Sequence, residues 1–193
     1  MQAWYKTLRS YGFFTYGRVI PNLTINGVPA PYPVLNERAV RAGAGIMFAL
    51  GLFAFFHAFY LDNFFFLQVF VAIFFFDFLM KVVVGTRFSP IAQLAAFVVR
   101  KQTPEYVGAI QKRFAWSIGL VLAGTMLVLL FGFDMRGSIN LFICGVCLTF
   151  MFLETSFGIC VGCKIYGWLV SWGIITDPLY RPACPGNVCA VDE

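Results

Sequence analysis

Of the 193 residues, 60% are apolar, 12% are charged and 24 are phenylalanine. That balance excludes a water-soluble globule, which needs a polar shell around its core. The formal net charge of +5 does not mark a nucleic-acid binder, because the basic residues stand at the ends of apolar runs instead of gathering with aromatics on one stripe.

The first 18 residues mix Lys6, Arg9 and Arg18 with Trp4, Tyr5, Leu8 and Phe13. No uninterrupted apolar core is present, so this stretch reads as an interfacial helix along a membrane and not as a cleavable signal. Pro21 and then Pro29, Pro31 and Pro33 follow, and they predict an extended, turn-rich strap over 22–35. Residues 1–35 form a lead-in segment, 36–175 the membrane domain and 176–193 a cysteine-containing tail.

Four apolar runs, 42–60, 64–84, 114–133 and 139–158, are each long enough to cross a bilayer core as a helix, which takes about 20 residues. The first holds only His57 among Asp, Glu, Lys, Arg and His, and the third holds none of these. Transmembrane strands would be shorter and alternating, so the expected fold is all-α, an integral membrane four-helix bundle with interfacial helices. The stretches 61–63 and 134–138 are tight turns that make consecutive helices antiparallel neighbours. In the longer inner connection, Ser89-Pro90 followed by Ile91, Leu94, Ala95, Val98 and Val99 predicts a capped helix with one apolar face, ending before Pro104 and resting at the headgroups.

Orientation follows from the basic residues. Lys6, Arg9, Arg18, Arg38 and Arg41 precede the first run, Arg87, Arg100, Lys101, Lys112 and Arg113 fill the second connection, and Lys164 and Arg181 follow the fourth run. The other two connections carry only Asp62 in one, with Asp134 and Arg136 in the other. The positive-inside rule therefore puts both termini in the cytoplasm.

Inside the bundle the polar residues are few. Asp77 and Lys81 lie four apart and are expected to neutralise each other, with Glu154 or Arg113 as further neighbours. Cys144, Cys147, Met151 and Glu154 share a face of the fourth helix. Soft sulfur beside a carboxylate suits a copper or zinc path; the plainer reading is two core cysteines and a carboxylate near the inner interface. A carboxylate in hydrocarbon costs a few kcal/mol and normally faces a partner or a water cavity. The single His57 reads as an interfacial group, and it excludes a bis-His haem.

Chemistry concentrates in the C-x-x-C pair Cys160 and Cys163, where the last apolar run stops and the charge of Lys164 follows. Two such thiols can form a disulfide, pass electrons or sulfur, or supply half a metal site. Cys184 and Cys189 in the tail complete a set of four candidate metal ligands with Cys160 and Cys163, although no histidine accompanies them. Gly158 and Gly162 loosen the helix around Cys160, and a helical turn starting there would stabilise a thiolate, aided by Lys164. Alternatively, Gly158-x-x-x-Gly162 is a helix-association pattern and the cysteines are small packing residues.

The run Phe157-Gly158-Ile159-Cys160-Val161-Gly162-Cys163-Lys164-Ile165-Tyr166 resembles the F-G-x-C-x-G-C-x-x-Y signature of a bacterial membrane family known as domain of unknown function 4395. Asn36-Glu37-Arg38 and the pair Ser89-Pro90 and Arg113-Phe114-Ala115 extend the resemblance over about 35–168. It implies a small four-helix protein of the bacterial cytoplasmic membrane, often encoded near thioredoxin-like or sulfurtransferase-like proteins, without an established activity or cofactor. The expectation is thiol–disulfide or sulfur transfer at Cys160 and Cys163, with Lys164 tuning the thiolate, Glu154 accepting a proton and a thioredoxin-like or sulfurtransferase protein as partner. The alternatives are a transporter or channel for a small sulfur species or metal ion through Glu154 and Asp77, and a structural subunit of a homo-oligomer or larger membrane complex.

Overall fold

The computed structural model describes residues 17–21, 23–25, 28–29 and 32–175. The expected N-terminal interfacial helix falls almost wholly outside these residues, and Cys184 and Cys189 lie outside them. Two short strands, β1 (Thr24–Ile25) and β2 (Val28–Pro29), pair antiparallel, and β3 (Val34–Asn36) leads into the first long helix.

Helix α1 (Glu37–Leu61) starts where Asn36 stops being extended, and the Asn36 side chain accepts a hydrogen bond from the Arg38 backbone N–H at 3.1 Å. That cap satisfies one of the free donors of the first turn. At 25 residues the helix is about 38 Å long, more than the roughly 30 Å of a hydrocarbon core, so its charged first turn can stand outside the apolar layer. It therefore begins five residues before the apolar run does. Asp62 closes it in the left-handed region at φ 51°, and Asn63 Oδ1 accepts from the Phe65 N–H at 3.1 Å to open α2 (Phe65–Val83).

After a short 3-10 turn at Thr86–Phe88 comes α3 (Pro90–Val98), the helix expected in the inner connection. Ser89 Oγ accepts from the Ala92 N–H at 3.0 Å, with proline in the first turn, where its missing N–H costs nothing. Strand β4 (Tyr106–Gly108) then precedes α4 (Ala109–Leu127), which runs on through a π turn at Val128–Gly132. Helix α5 (Ser138–Phe157) is the fourth long one, and α6 (Val161–Ser171) lies beyond it. Helix α1, helix α2, α4 with its π turn, and α5 are long and apolar enough to cross a membrane, so this is an all-α, multi-pass membrane protein.

Helix α1 packs on α2, α3 and α5, α2 packs on α4, and α4 packs on α6. Met47, Leu67, Phe74, Leu130, Cys144 and Leu148 form the buried centre, whereas Phe53, Phe59, Phe76, Phe131 and Phe142 are exposed around the outside, as lipid contact requires. Helices in lipid gain little from hydrophobicity and associate through close packing at small residues. Gly119 is such a point: a Cβ there would stand 2.5 Å from the Phe78 ring.

At the bundle end that holds β3, β4 and α3, the strap is tied down. Strand β3 pairs antiparallel with β4, Val34 opposite Gly108 and Asn36 opposite Tyr106, and Arg18 forms a two-bond bridge to Val34. The extended strap was expected; its partner was not, because a pairing across some seventy residues leaves no local signature. On α3, Ala95 is buried against Gly43, while Leu94, Phe97 and Val98 face outward, an arrangement suited to the headgroup layer.

The close contact at Gly119 gives a direct test. Gly119→Val should lower the melting temperature in detergent by several degrees, since overpacking typically costs about 1–3 kcal/mol, and Phe78→Leu in the same chain should recover part of the loss; an unchanged melting temperature for Gly119→Val would contradict this packing.

Candidate functional site

The C-x-x-C does not lie within one helix. Helix α5 ends at Gly158, φ +67°, whose N–H donates to Glu154 O at 3.1 Å while the Ile159 N–H donates to Leu153 O at 3.0 Å. A residue with a side chain is strained there, which is why glycine stops the helix at this point. Cys160 is extended and caps α6: its Sγ accepts from the Cys163 N–H at 3.3 Å. The expected new helical turn at Cys160 is therefore present.

Gly158 and Gly162 consequently do different things and do not form a single association face. Gly158 turns the chain, whereas Gly162 lets α6 lie on α4, a Cβ at 162 falling 2.5 Å from Ala115 Cβ. Cys160 and Cys163 are joined as a disulfide, with Cα atoms 5.2 Å apart, and both are buried. Lys164 is exposed on α6, and only its backbone N–H touches the pair, donating to Cys160 O at 3.1 Å. Tyr166 is buried on the same helix with its ring 5.3 Å from that of Phe114.

Beside the pair is a cluster of buried charge. Glu154 meets neither Lys81 nor Arg113, as the sequence suggested, but Lys112, whose Nζ donates to Glu154 Oε1 at 2.7 Å and to Glu37 Oε1 at 3.0 Å. Lys112 Nζ stands on the first turn of α4 with its side chain 1% exposed, and it joins the start of α1 to the end of α5. Arg41 adds a second cation by donating to Thr155 O at 3.2 Å, its guanidinium close against Gly158. Arg113 instead donates to Val82 O at 3.2 Å.

Asp77 and Lys81 pair at 2.6 Å as expected, both buried. Ser89 Oγ donates to Asp77 Oδ1 while accepting from Ala92, so the cap of α3 is also a ligand to this pair. Lys81 Nζ sits 5.0 Å from the Phe78 ring centre and 5.8 Å from that of Trp116, distances at which a cation is attracted to a ring face. Both carboxylates that a transport path would use, Glu154 and Asp77, are thus held by lysines.

Of these groups Cys160, Glu154 and Lys81, together with Cys147 and Met151, border one cavity of about 1280 Å³ at the basic end of the bundle. Cys147, Met151 and Glu154 share a face there, as their spacing implied. Cys144 instead sits in the packed core, 1% exposed. His57 is at the opposite end, its Nδ1 2.9 Å from Phe53 O and its ring between those of Phe53 and Phe66. Among the described residues no three His, Cys, Asp or Glu side chains come together as a metal site. Cys160 and Cys163 are bonded to each other, and their proposed co-ligands Cys184 and Cys189 fall outside the described residues.

Lys112, Glu37, Arg41 and Ser89 are the members that sequence reading did not assign to the site. Lys112 and Glu37 sit on the first turns of their helices, where charge looks like a mere boundary mark; only the packing of α1, α4 and α5 converts the two marks and Glu154 into a triad.

A family model described as a domain of unknown function (DUF4395) matches residues 35–171. No curated protein and no solved structure matches the chain.

The triad carries its own prediction. Lys112→Met should destabilise the protein by about 3–5 kcal/mol, because it leaves two half-buried carboxylates facing each other without a cation. The triple change Lys112→Met, Glu37→Gln and Glu154→Gln should be markedly more stable than Lys112→Met alone when unfolding is followed in detergent.

Proposed function

The chain belongs to the DUF4395 family, and we propose that it carries out thiol–disulfide exchange or sulfur transfer at Cys160 and Cys163 on the cytoplasmic face of a bacterial inner membrane. The observation that carries this reading is the bonded pair at the start of α6, with Cys160 at the edge of the cavity that Glu154 also borders. A disulfide holding a bare helix start is a labile arrangement in a reducing compartment, where thiols turn over and permanent bridges are rare. The cytoplasmic assignment rests on Arg38, Arg41, Arg87, Arg100, Lys101 and Lys164, all at the bundle end that holds the pair.

In the bonded pair the Cys163 N–H points at Cys160 Sγ, and once the bond is reduced the free N–H groups of α6 favour the thiolate at Cys160. Cys160 attacks a partner disulfide, and one partner sulfur leaves as thiolate. Cys163 then attacks Cys160 Sγ, reforming the intramolecular bond and releasing the partner as a dithiol. Two electrons pass from the pair to the partner, or the reverse when the partner is the reductant. Sulfur transfer follows the same geometry: Cys160 accepts a sulfane sulfur and Cys163 displaces it as hydrosulfide while the disulfide closes. Glu154, fixed by Lys112 on the cavity wall, is the proposed proton acceptor, and Lys164 contributes only a long-range positive field from the surface. The partner this reading requires is a thioredoxin-like or sulfurtransferase protein that docks at the basic face.

Two experiments bear on this. Cys163→Ser should accumulate a reductant-sensitive mixed disulfide between Cys160 and a soluble cytoplasmic protein, and the adduct should vanish when Cys160 is also Ser; no adduct under oxidising growth would overturn the exchange reading. Single cysteines placed at Asn63 and Gly137, in a chain lacking native cysteines, should be labelled from outside intact cells by an impermeant maleimide, and labelling only after permeabilisation would reverse the orientation.

A further inference from the structure

The cavity reaches further than exchange with a soluble protein needs. Its wall combines polar residues, among them Asn36, Arg87 and Gln93, with an apolar stretch within the spans: Met47 on α1, Phe74 and Phe78 on α2, Trp116 and Leu122 on α4, and Phe150 on α5. Met47 stands five residues past residue 42, where the apolar run of α1 starts, about 7.5 Å into the hydrocarbon core, and Phe74 lies at the midpoint of the 64–84 run. Its volume of about 1280 Å³ exceeds the roughly 300–1,000 Å³ typical of small-molecule sites. A hydrophilic oxidant has no use for such walls, and an acyl chain, which fits them, has no chemistry with the sulfur at the rim.

We propose that this cavity binds a membrane quinone and that the quinone is the lipid-side redox partner of the Cys160–Cys163 pair. The inference rests on the thiol reading above and names its second substrate. A dithiol gives up two electrons and two protons as it closes to a disulfide, and a quinone takes up two electrons and two protons as it becomes a quinol. The Sγ–Sγ bond forms, both S–H bonds are lost, and each quinone oxygen gains one proton, so the step balances without another reagent. Electrons then run from a soluble dithiol, through the pair, to the bilayer.

Two features of the cavity suit the headgroup. Trp116 in the cavity wall provides an indole against which an aromatic ligand can pack. Lys81 offers the hydrogen bond that a quinone oxygen accepts, since an ammonium has three N–H donors and Asp77 at 2.6 Å engages one. Glu154 on the same wall gives the proton route a carboxylate.

The test uses the full chain in nanodiscs with decylubiquinone, whose fully substituted ring resists thiol addition. Protein reduced and freed of reductant should form one quinol per disulfide, read from the ultraviolet spectrum and from loss of free thiols. Leu122→Trp, which fills the cavity, and Trp116→Phe, which weakens one aromatic contact, should each slow quinol formation by about two- to tenfold, while disulfide exchange with reduced thioredoxin proceeds as before. Exchange without quinol formation would overturn the quinone inference and leave the thiol reading standing. Failure of both exchange and quinol formation in the unaltered chain would overturn both. Quinol formation at an undiminished rate in both variants would overturn the assignment to this cavity.

Discussion

One buried ammonium organises the basic half of this bundle. Lys112 lies between Glu37 and Glu154, and each of the three comes from a different span. An unpaired lysine at that position would be expelled to the surface or lose its proton; with two carboxylates it is instead the fixed point from which α1, α4 and α5 take their register. The same contact sets the height of α5 in the bundle, and therefore the height at which Gly158 ends it and Cys160 begins the next helix. Buried ion networks are a poor source of net stability but a strong source of uniqueness, since a one-turn slip of any span strands a charge in hydrocarbon.

The thiol pair inherits its surroundings from that register. Helix α6 cannot run on from α5, because the left-handed residue Gly158 redirects the chain, and it cannot leave the bundle, because Gly162 seats it on Ala115. Cys160 is left at the join, its sulfur facing a helix start on one side and the cavity on the other. Both cysteines are buried, and Cys160 is part of the cavity wall.

The spans were legible because a run of twenty apolar residues has one physical meaning, and their turns were legible because Asp62 and Asn63, and Asp134, Arg136 and Gly137, interrupt the apolar runs. The cap at Ser89-Pro90 and the Asp77–Lys81 pair were legible for the same reason: both are local. The partner of Glu154 was not, since Lys81, Lys112 and Arg113 are equally good cations on paper and only three-dimensional register chooses among them. The pairing of β3 with β4 was hidden likewise. For the C-x-x-C, the sequence carried both the helix-start reading and the glycine-contact reading as rivals; the break at Gly158 gives Cys160 the first and Gly162 the second.

The long-range ties at the basic end also impose a calendar on assembly. Synthesis proceeds from the N-terminus, so the strap and Glu37 emerge first, β4 follows after two spans, Lys112 arrives a few residues later, and Glu154 comes only with the fourth span. Until then Lys112 has a single carboxylate, and the third span is held at the interface by a cation only partly neutralised. The fourth span therefore completes the triad and the cavity wall, and a chain truncated before Glu154 has neither a finished membrane domain nor the Cys160–Cys163 pair.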